Sequence, residues 1–229
     1  KDDSVNVIKR YADKLAYWVS EPDAGQTHAL IKGFNLSKGE IMGWLCSDDL
    51  LLPSSLQKVS DYFNAHPDVD VVYGDALWID LGGRFIRCKR EMPFSRFVML
   101  HDHNYIAQPS TFWRRRLYES VGGLDARFNL AMDTDLWERF STQTKIAHIF
   151  EYLSCIRSYP EQRTLSQRTT SLGEYAMIRS RSRFAKPLPR SLLRATARTA
   201  RISRKLVSGG YTAKPPQQHL DWIARFEIT

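Results

Sequence analysis

The chain of 229 residues has only three cysteines and little acid in its last third, and no apolar run in it approaches the roughly 20 residues that a membrane crossing needs. Each shortage excludes something. Without a long apolar run, the sequence offers no membrane-spanning helix. It opens on the polar stretch KDDS rather than on a basic segment followed by a greasy one, so no signal peptide is expected there. Cys46, Cys88 and Cys155 are odd in number, far apart and set among apolar neighbours. That pattern suits reduced core thiols in a cytosolic protein and signals neither a disulfide framework nor a zinc site. No internal repeat is visible, and no helix-turn-helix, zinc-knuckle or RNA-binding signature points to nucleic acid.

What is present describes a packed protein. A hydrophobic content of 43% and an aromatic content of 12% support a buried core. The length suits one sizeable domain, or one domain with an appendage. The net charge of +8 is unevenly spread. Residues 1–150 carry 18 Lys and Arg against 20 Asp and Glu, a net −2, whereas residues 151–229 carry 15 against 5, a net +10. A tail of that sign seeks phosphate, on lipid head groups, nucleic acid or another polyanion.

Helix and strand patterns alternate along the first two thirds. Residues 3–15 space Val5, Ile8, Tyr11, Ala12 and Leu15 helically behind a capping Asp3 or Ser4. LAYWVSEPD reads as a short strand, GQTHALIKGFNLSKG as a helix closed near Gly33 or Gly39, and EIMGWLCSDD as a buried strand. PSSLQKVSDYFNAHP reads as a helix, VDVVYGDALWID as a strand, and Gly82-Gly83 as the turn into a hairpin with RFIRCKRE. This alternation predicts an α/β domain with a mostly parallel sheet, in which ligands sit at the carboxyl ends of strands.

Asp48-Asp49 lies at such an end. With Ser47, the two acids could offer hard oxygen ligands to Mg²⁺ or Mn²⁺, ions that bridge to nucleotide phosphates. Equally, one of them could cap the helix beginning near Pro53. LDARFNLAMDTDLWERF ends in an amphipathic helix, and Asp133 and Asp135 sit at its opening. There they either favour the helix dipole or present a general base to an acceptor hydroxyl. His101 and His103 are two apart, a spacing open to metal, to solvent or to substrate. Trp113 and Trp137 carry faces that could stack on sugars, although their positions suit core packing.

The series SEPDAGQTHALIKGF, GEIMGWLCSDD, VDVVYGD, QPSTFWRR and GGLD…AMDTDLWER resembles the family-2 glycosyltransferases, the inverting group with the GT-A fold, over roughly residues 1–165. The resemblance implies a GT-A-like (Rossmann-like) α/β domain over residues 1–168, followed by a basic helical extension over 169–229. It implies a nucleotide diphosphate sugar, UDP- or GDP-linked, as donor, a saccharide or lipid-linked acceptor, and Mn²⁺ or Mg²⁺ as cofactor. Asp49 corresponds to the metal-contacting acid, with Asp48 nearer the donor ribose or sugar and also available to the metal. Asp23, Gly25, Gln26 and Ser47 fall on the donor side. Gln108, Pro109, Ser110, Asp135 and Trp137 fall on the acceptor side, and Asp133 takes the place of the catalytic base. Relatives often carry an acid where this chain has Met132, a histidine near Tyr159, and Asp where His28 stands. They also begin with a strand–helix–strand unit, which needs about 30 residues or more and has no counterpart at the front of this sequence.

Two other classes remain open. A GT-A-like domain lacking that unit could be an inactive binding or assembly module, and paired acids around a metal also serve nucleotidyl transfer. In the tail, Leu192, Leu193, Ala197, Ile202 and Leu206 sit among Arg190, Arg194, Arg198, Arg201, Arg204 and Lys205. Residues 190–207 would form a basic amphipathic helix, suited either to an anionic surface at the inner face of a membrane or to packing on its own domain.

Overall fold

The computed structural model describes residues 2–181 and 188–226. Its helices are α1 (Ser4–Arg10), α2 (Gln26–Leu36), α3 (Ser55–Ala65), α4 (Arg96–His101), α5 (Arg115–Ser120), α6 (Met132–Gln143), α7 (Arg163–Ser166), α8 (Arg168–Ser180), α9 (Arg190–Val207) and α10 (Gln217–Ile223). The strands are β1 (Ile41–Met42), β2 (Leu50–Leu51), β3 (Val71–Ile79), β4 (Phe85–Lys89), β5 (Thr111–Arg114) and β6 (Ile146–Arg157).

The six strands form one sheet in the order β1-β5-β3-β6-β2, with β4 also on β3. Eight of the nine residues of β3 are buried, the pattern of a central strand covered on both faces. β3 and β6 pair in parallel from Val71 opposite Ile146 to Ile79 opposite Arg157. Every other pairing among the described residues is antiparallel. The sheet is therefore mixed and not mostly parallel. The antiparallel partners are short returns that follow turns or helices, and β4 is the predicted hairpin arm. Its turn closes with the Arg84 amide donating to the Asp80 carboxylate at 2.8 Å. Gly83 has φ 90°, which a glycine tolerates at no steric cost.

Two predicted strands differ from expectation. Residues 15–23 form none, because no described strand lies beside them to complete a ladder, and Tyr17 and Val19 remain exposed. In EIMGWLCSDD only Ile41 and Met42 pair with β5. Past Met42 the chain leaves the ladder, and the Trp44 carbonyl is satisfied instead by the Gln108 side-chain amide at 2.6 Å. Leu45 consequently faces solvent and Cys46 is half-buried, so Cys46 is not the core thiol its apolar context suggests.

An aromatic cluster fills the main core. Trp113 packs edge-on against Phe34, Trp44 and Trp137, and Trp44 stacks on Trp137 with centroids 5.9 Å apart. Ile178 of α8 joins the same cluster, with Tyr175 and Ala200 against its edge. The Lys205 ammonium bonds to Glu91 at 3.0 Å and Arg201 to Asp102 at 2.6 Å. The C-terminal helices therefore sit on the core of the sheet domain.

Gly74 lies where β3 passes closest to β6. A Cβ added there would come within 2.6 Å of the Leu153 side chain and 2.7 Å of the Glu151 carbonyl. Neither can yield readily, since Leu153 is fully buried and the carbonyl is backbone. Gly74→Ala is expected to lower stability by about 1–3 kcal/mol, the range for forced overpacking, and a urea midpoint shift measures it.

Candidate active site

Asp48 and Asp49 lie in the turn that leads into β2. Because Leu50 and Leu51 pair with Cys155 and Ser154, the turn is drawn to the carboxyl end of β6. There Arg157 fastens it. Its amide donates to Asp49 Oδ1 at 3.0 Å, its Nε donates to the Asp48 carbonyl at 2.9 Å, and one Nη donates to the carbonyls of Asp80 and Leu81. The Tyr159 hydroxyl donates to Asp48 Oδ2 at 2.8 Å. Burial, with the neighbouring Asp48 charge, pushes the Asp49 carboxyl up to about 6 against the Arg157 bond that lowers it.

Ligand atoms of Cys46, Asp48 and Asp49 lie within 4.8 Å of one another, the one such group of three among the described residues. Two carboxylates form a donor set suited to Mn²⁺ or Mg²⁺, and a bound cation would favour the ionised form that burial disfavours at Asp49. Cys46 is a poorer ligand. Burial and the two aspartates push its thiol up to about 11, so it remains neutral, hydrogen-bonded between Gln26 and Gln108. The residues therefore fit a divalent cation held by oxygen. His101 and His103 are not in this group: His101 is buried against Phe97, and His103 lies 3.2 Å from Asp102.

Asp133 is the second residue of α6. Its Oδ1 accepts from the Thr134 amide at 2.6 Å, and its Oδ2 accepts from Asn104 Nδ2 at 3.0 Å. Burial pushes this carboxyl up to about 6 as well, partly offset by the Thr134 bonds and reinforced by the Glu174 charge. The loop that delivers it is held from α8. The Glu174 carboxylate accepts from the amides of Asn129, Leu130 and Ala131 at 3.0, 2.8 and 2.8 Å. At the other side, the Thr27 hydroxyl of α2 donates to the Phe128 carbonyl and Met132 Sδ.

Two adjoining hollows contain these groups. One, about 420 Å³, is lined by Ser47, Asp48, Asp49, Ile156, Tyr159 and Gln162. The other, about 150 Å³, is lined by Trp44, Gln108, Asn129, Leu130, Met132 and Asp133. Gln26, Cys46 and Arg163 line both, and an Arg163 Nη donates to Gln26 Oε1 at 3.1 Å. Gly25, with φ 120°, starts α2 beside the seam, where a Cβ would meet Asn129 Oδ1 at 2.7 Å.

Of the residues anticipated from sequence, Gln26, Ser47, Asp48, Asp49, Gln108 and Asp133 thus come together. Others do not. Asp135 is fully buried and held by Arg139 at 2.7 Å and Arg181 at 2.6 Å, which leaves no carboxylate edge for an acceptor. Trp137 is fully buried and supports Trp44, which lines the hollow in its place. Ser110 is buried within the sheet and bonds to Ser154 and the Asp75 carbonyl. Pro109 lines a separate apolar groove with Phe112 and Leu56. Asp23 pairs with Lys32 at 2.5 Å, and His28 is exposed. Sequence reasoning missed Asn104, Arg163 and Glu174. Asn104 adjoins the two histidines that drew attention to its stretch, and Glu174 is one of only five acids in the basic last third.

This layout of a mixed sheet with flanking helices matches solved GT-A-type structures. The similar ones include TarS 1–349 of S. aureus in complex with UDP-GlcNAc, with a TM-score of 0.59 at 14% identity, covering 95% of this chain and 66% of that one. They also include the mannosyltransferase PcManGT from Pyrobaculum calidifontis in complex with GDP-Man and Mn²⁺, with a TM-score of 0.56 at 15% identity, covering 98% and 67%. The fold is GT-A-like. The family model described as glycosyl transferase family 2 matches residues 1–122, and the chain belongs to that family. The match takes in Asp48-Asp49 and stops short of Asp133. An uncharacterized glycosyltransferase of Rickettsia typhi is 27% identical over 187 residues, covering 78% of this chain and 58% of that protein. The O-antigen biosynthesis protein RfbC of Myxococcus xanthus is 32% identical over 139 residues, covering 58% of this chain and 10% of that one. An uncharacterized glycosyltransferase of Mycobacterium tuberculosis is 25% identical over 135 residues, 51% of its length. The chain thus spans little more than half the length of the first curated relatives it matches.

The raised Asp133 carboxyl has a consequence for stability. Between its ordinary value of 3.8 and about 6, the native state holds the proton more tightly than the unfolded chain, so its contribution is present in acid and lost as pH rises through 6. Asp133→Asn is therefore expected to be more stable than the parent at pH 7.5, by about 1–2 kcal/mol after the altered hydrogen bonds, with the gain vanishing near pH 4. Melting temperatures across that range measure it. Glu174→Ala removes the acceptor for three amides and is expected to cost about 2–3 kcal/mol by chemical denaturation, while Glu174→Gln retains part of the bonding.

Proposed function

We propose that the protein acts as an inverting, metal-dependent glycosyltransferase of hexosyl type, moving a sugar from a UDP- or GDP-linked donor to a saccharide or lipid-linked acceptor. The observation that carries this reading is the division of labour between the two hollows: Asp48 and Asp49 line one, Asp133 the other, and Gln26, Cys46 and Arg163 are common to both. The family supports it, as do structural neighbours solved with UDP-GlcNAc and with GDP-Man and Mn²⁺. The reaction would take place on the cytoplasmic side, at the inner face of the membrane where a lipid-linked acceptor is used.

Asp49 and Asp48 would hold the cation, with Tyr159 and Arg157 fixing their orientation. When bound, Mn²⁺ or Mg²⁺ neutralises the charge that develops on the departing diphosphate. Arg163 adds a guanidinium at the seam, suited to phosphate oxygens. Asp133 accepts the proton of the acceptor hydroxyl. The acceptor oxygen then bonds to the anomeric carbon as the bond from that carbon to the diphosphate oxygen breaks on the opposite face, and the configuration inverts. A carboxyl near 6 is ionised at neutral pH and more basic than an ordinary aspartate, as a general base requires. Asn104 keeps it aimed, and Trp44 offers a ring face to the sugar.

Thermal shift of the chain with nucleotide sugars, with and without Mn²⁺, tests the donor half, since a ligand bound only by the native state raises the melting temperature. Asp49→Ala is expected to abolish the Mn²⁺-dependent shift while leaving the far-UV spectrum unchanged; an unaltered shift would remove the metal assignment. Asp133→Asn is expected to lower turnover at least about 100-fold with donor affinity nearly unchanged. Release of nucleoside diphosphate supports sugar transfer. Pyrophosphate release would instead identify a nucleotidyltransferase, and donor binding with neither product a binding module.

A further inference from the structure

Helix α9 runs for 18 residues and contains no acid. Its inner face seats Leu193 and Ala197 on the domain, and two of its six basic side chains, Arg201 and Lys205, bond to Asp102 and Glu91. The opposite face is the unusual one. Leu192, Ala195, Thr199, Ile202 and Leu206 recur at spacings of three and four, so they form one stripe along the helix, and it points away from the protein. Leu192 is 52% exposed, Leu206 62% and, at the end of the helix, Val207 90%. Arg198 stands on the flank of the stripe, with Arg194 and Arg190 further round toward the side of Arg201 and Lys205; all three are exposed and paired with no carboxylate among the described residues. A hollow of about 520 Å³ beside the helix end is lined by Pro93, Phe150, Arg204 and Val207, and half of Phe150 is also in solvent.

We propose that this outward face of α9 is a docking surface for an anionic membrane, with the apolar stripe entering the head-group boundary and the arginines meeting lipid phosphates. Charge decides the occupant. A second copy of α9 laid on the first would set arginine against arginine with no acid on either helix to compensate, whereas an anionic bilayer complements both the stripe and its flank. The bonds to the domain also give the docking a direction. Arg201 holds Asp102, two residues before the Asn104 that orients Asp133 and six before the Gln108 that lines the cleft. The surface is therefore tied to the loop on the acceptor side, which favours an acceptor presented by the bilayer.

Co-sedimentation with vesicles of phosphatidylglycerol and phosphatidylcholine (1:1), against pure phosphatidylcholine, tests the surface independently of any transferase activity. The parent chain is expected to pellet with the anionic vesicles only, and less as salt rises. Replacing Arg190, Arg194 and Arg198 with Gln should weaken partitioning roughly 100-fold, at about fivefold per basic residue. Replacing Leu206 and Val207 with Ser should weaken it about tenfold or more, because less apolar surface is then buried in the bilayer. Because all these side chains are in solvent, unchanged melting temperatures are expected and confirm that folding is intact. Protein left in the supernatant with anionic vesicles would overturn the proposal. So would binding that the Leu206 and Val207 changes leave untouched, or a dimer in solution that those changes dissolve.

Discussion

Where β3 and β6 run side by side, the ladder carries Ile79 and Arg157 together to the rim of the sheet. The Asp48-Asp49 half of the cleft hangs from that rim. Arg157 ties the Asp48-Asp49 turn to the residues that follow β3, using its amide and its guanidinium on acceptors from Asp48, Asp49, Asp80 and Leu81. A slip of one residue would turn the side chain to the other face of the sheet and release the turn. The buried run of β3 specifies the pairing, which shifts register between Tyr73 and Ala76, beside Gly74, where an added Cβ would clash with β6.

Two carboxylates at the cleft are pushed in the same direction by the same cause. Asp49 and Asp133 are both raised by burial, and each is only partly relieved by hydrogen bonds. Fully compensated acids, such as Asp135 between two arginines, are structural ones. Incomplete compensation sets Asp49 and Asp133 apart from such acids, and perturbed groups of this kind concentrate at functional sites.

Much of this was legible in the chain itself. The acidic turn follows directly on a strand pattern, and the hairpin at Gly82-Gly83 and the buried run of β3 are local signals that the structure reproduces. Asp133 and Asp135 could not be told apart by their position at a helix start, although Arg139, four residues beyond Asp135, hinted at which one is paired. Arg181 completes that pair from just beyond α8, and Glu174 reaches the 129–131 amides across more than forty residues; neither leaves a local trace. The strand expected at 15–23 and the rest of EIMGWLCSDD failed for one physical reason: β propensity needs a neighbour to pair with, and the sequence pattern cannot report whether one is present. Trp137 followed its helical spacing into the core rather than its resemblance to an acceptor-side position.

The contacts between the start of α2 and the loop before α6 have a mechanical meaning. Thr27 is bonded to Phe128, and a Cβ at Gly25 would meet the Asn129 side-chain oxygen at 2.7 Å. The start of α2 and the loop before α6 are therefore held as a single jaw. They cannot part like the two halves of a hinge without breaking a buried hydrogen bond. The facing wall, residues 159–163, is fastened to the cleft through side-chain tips, Tyr159 to Asp48 and Arg163 to Gln26. Opening the cleft from that wall would break only these side-chain tips, so hydrogen exchange is expected to register opening there before it registers any in the jaw.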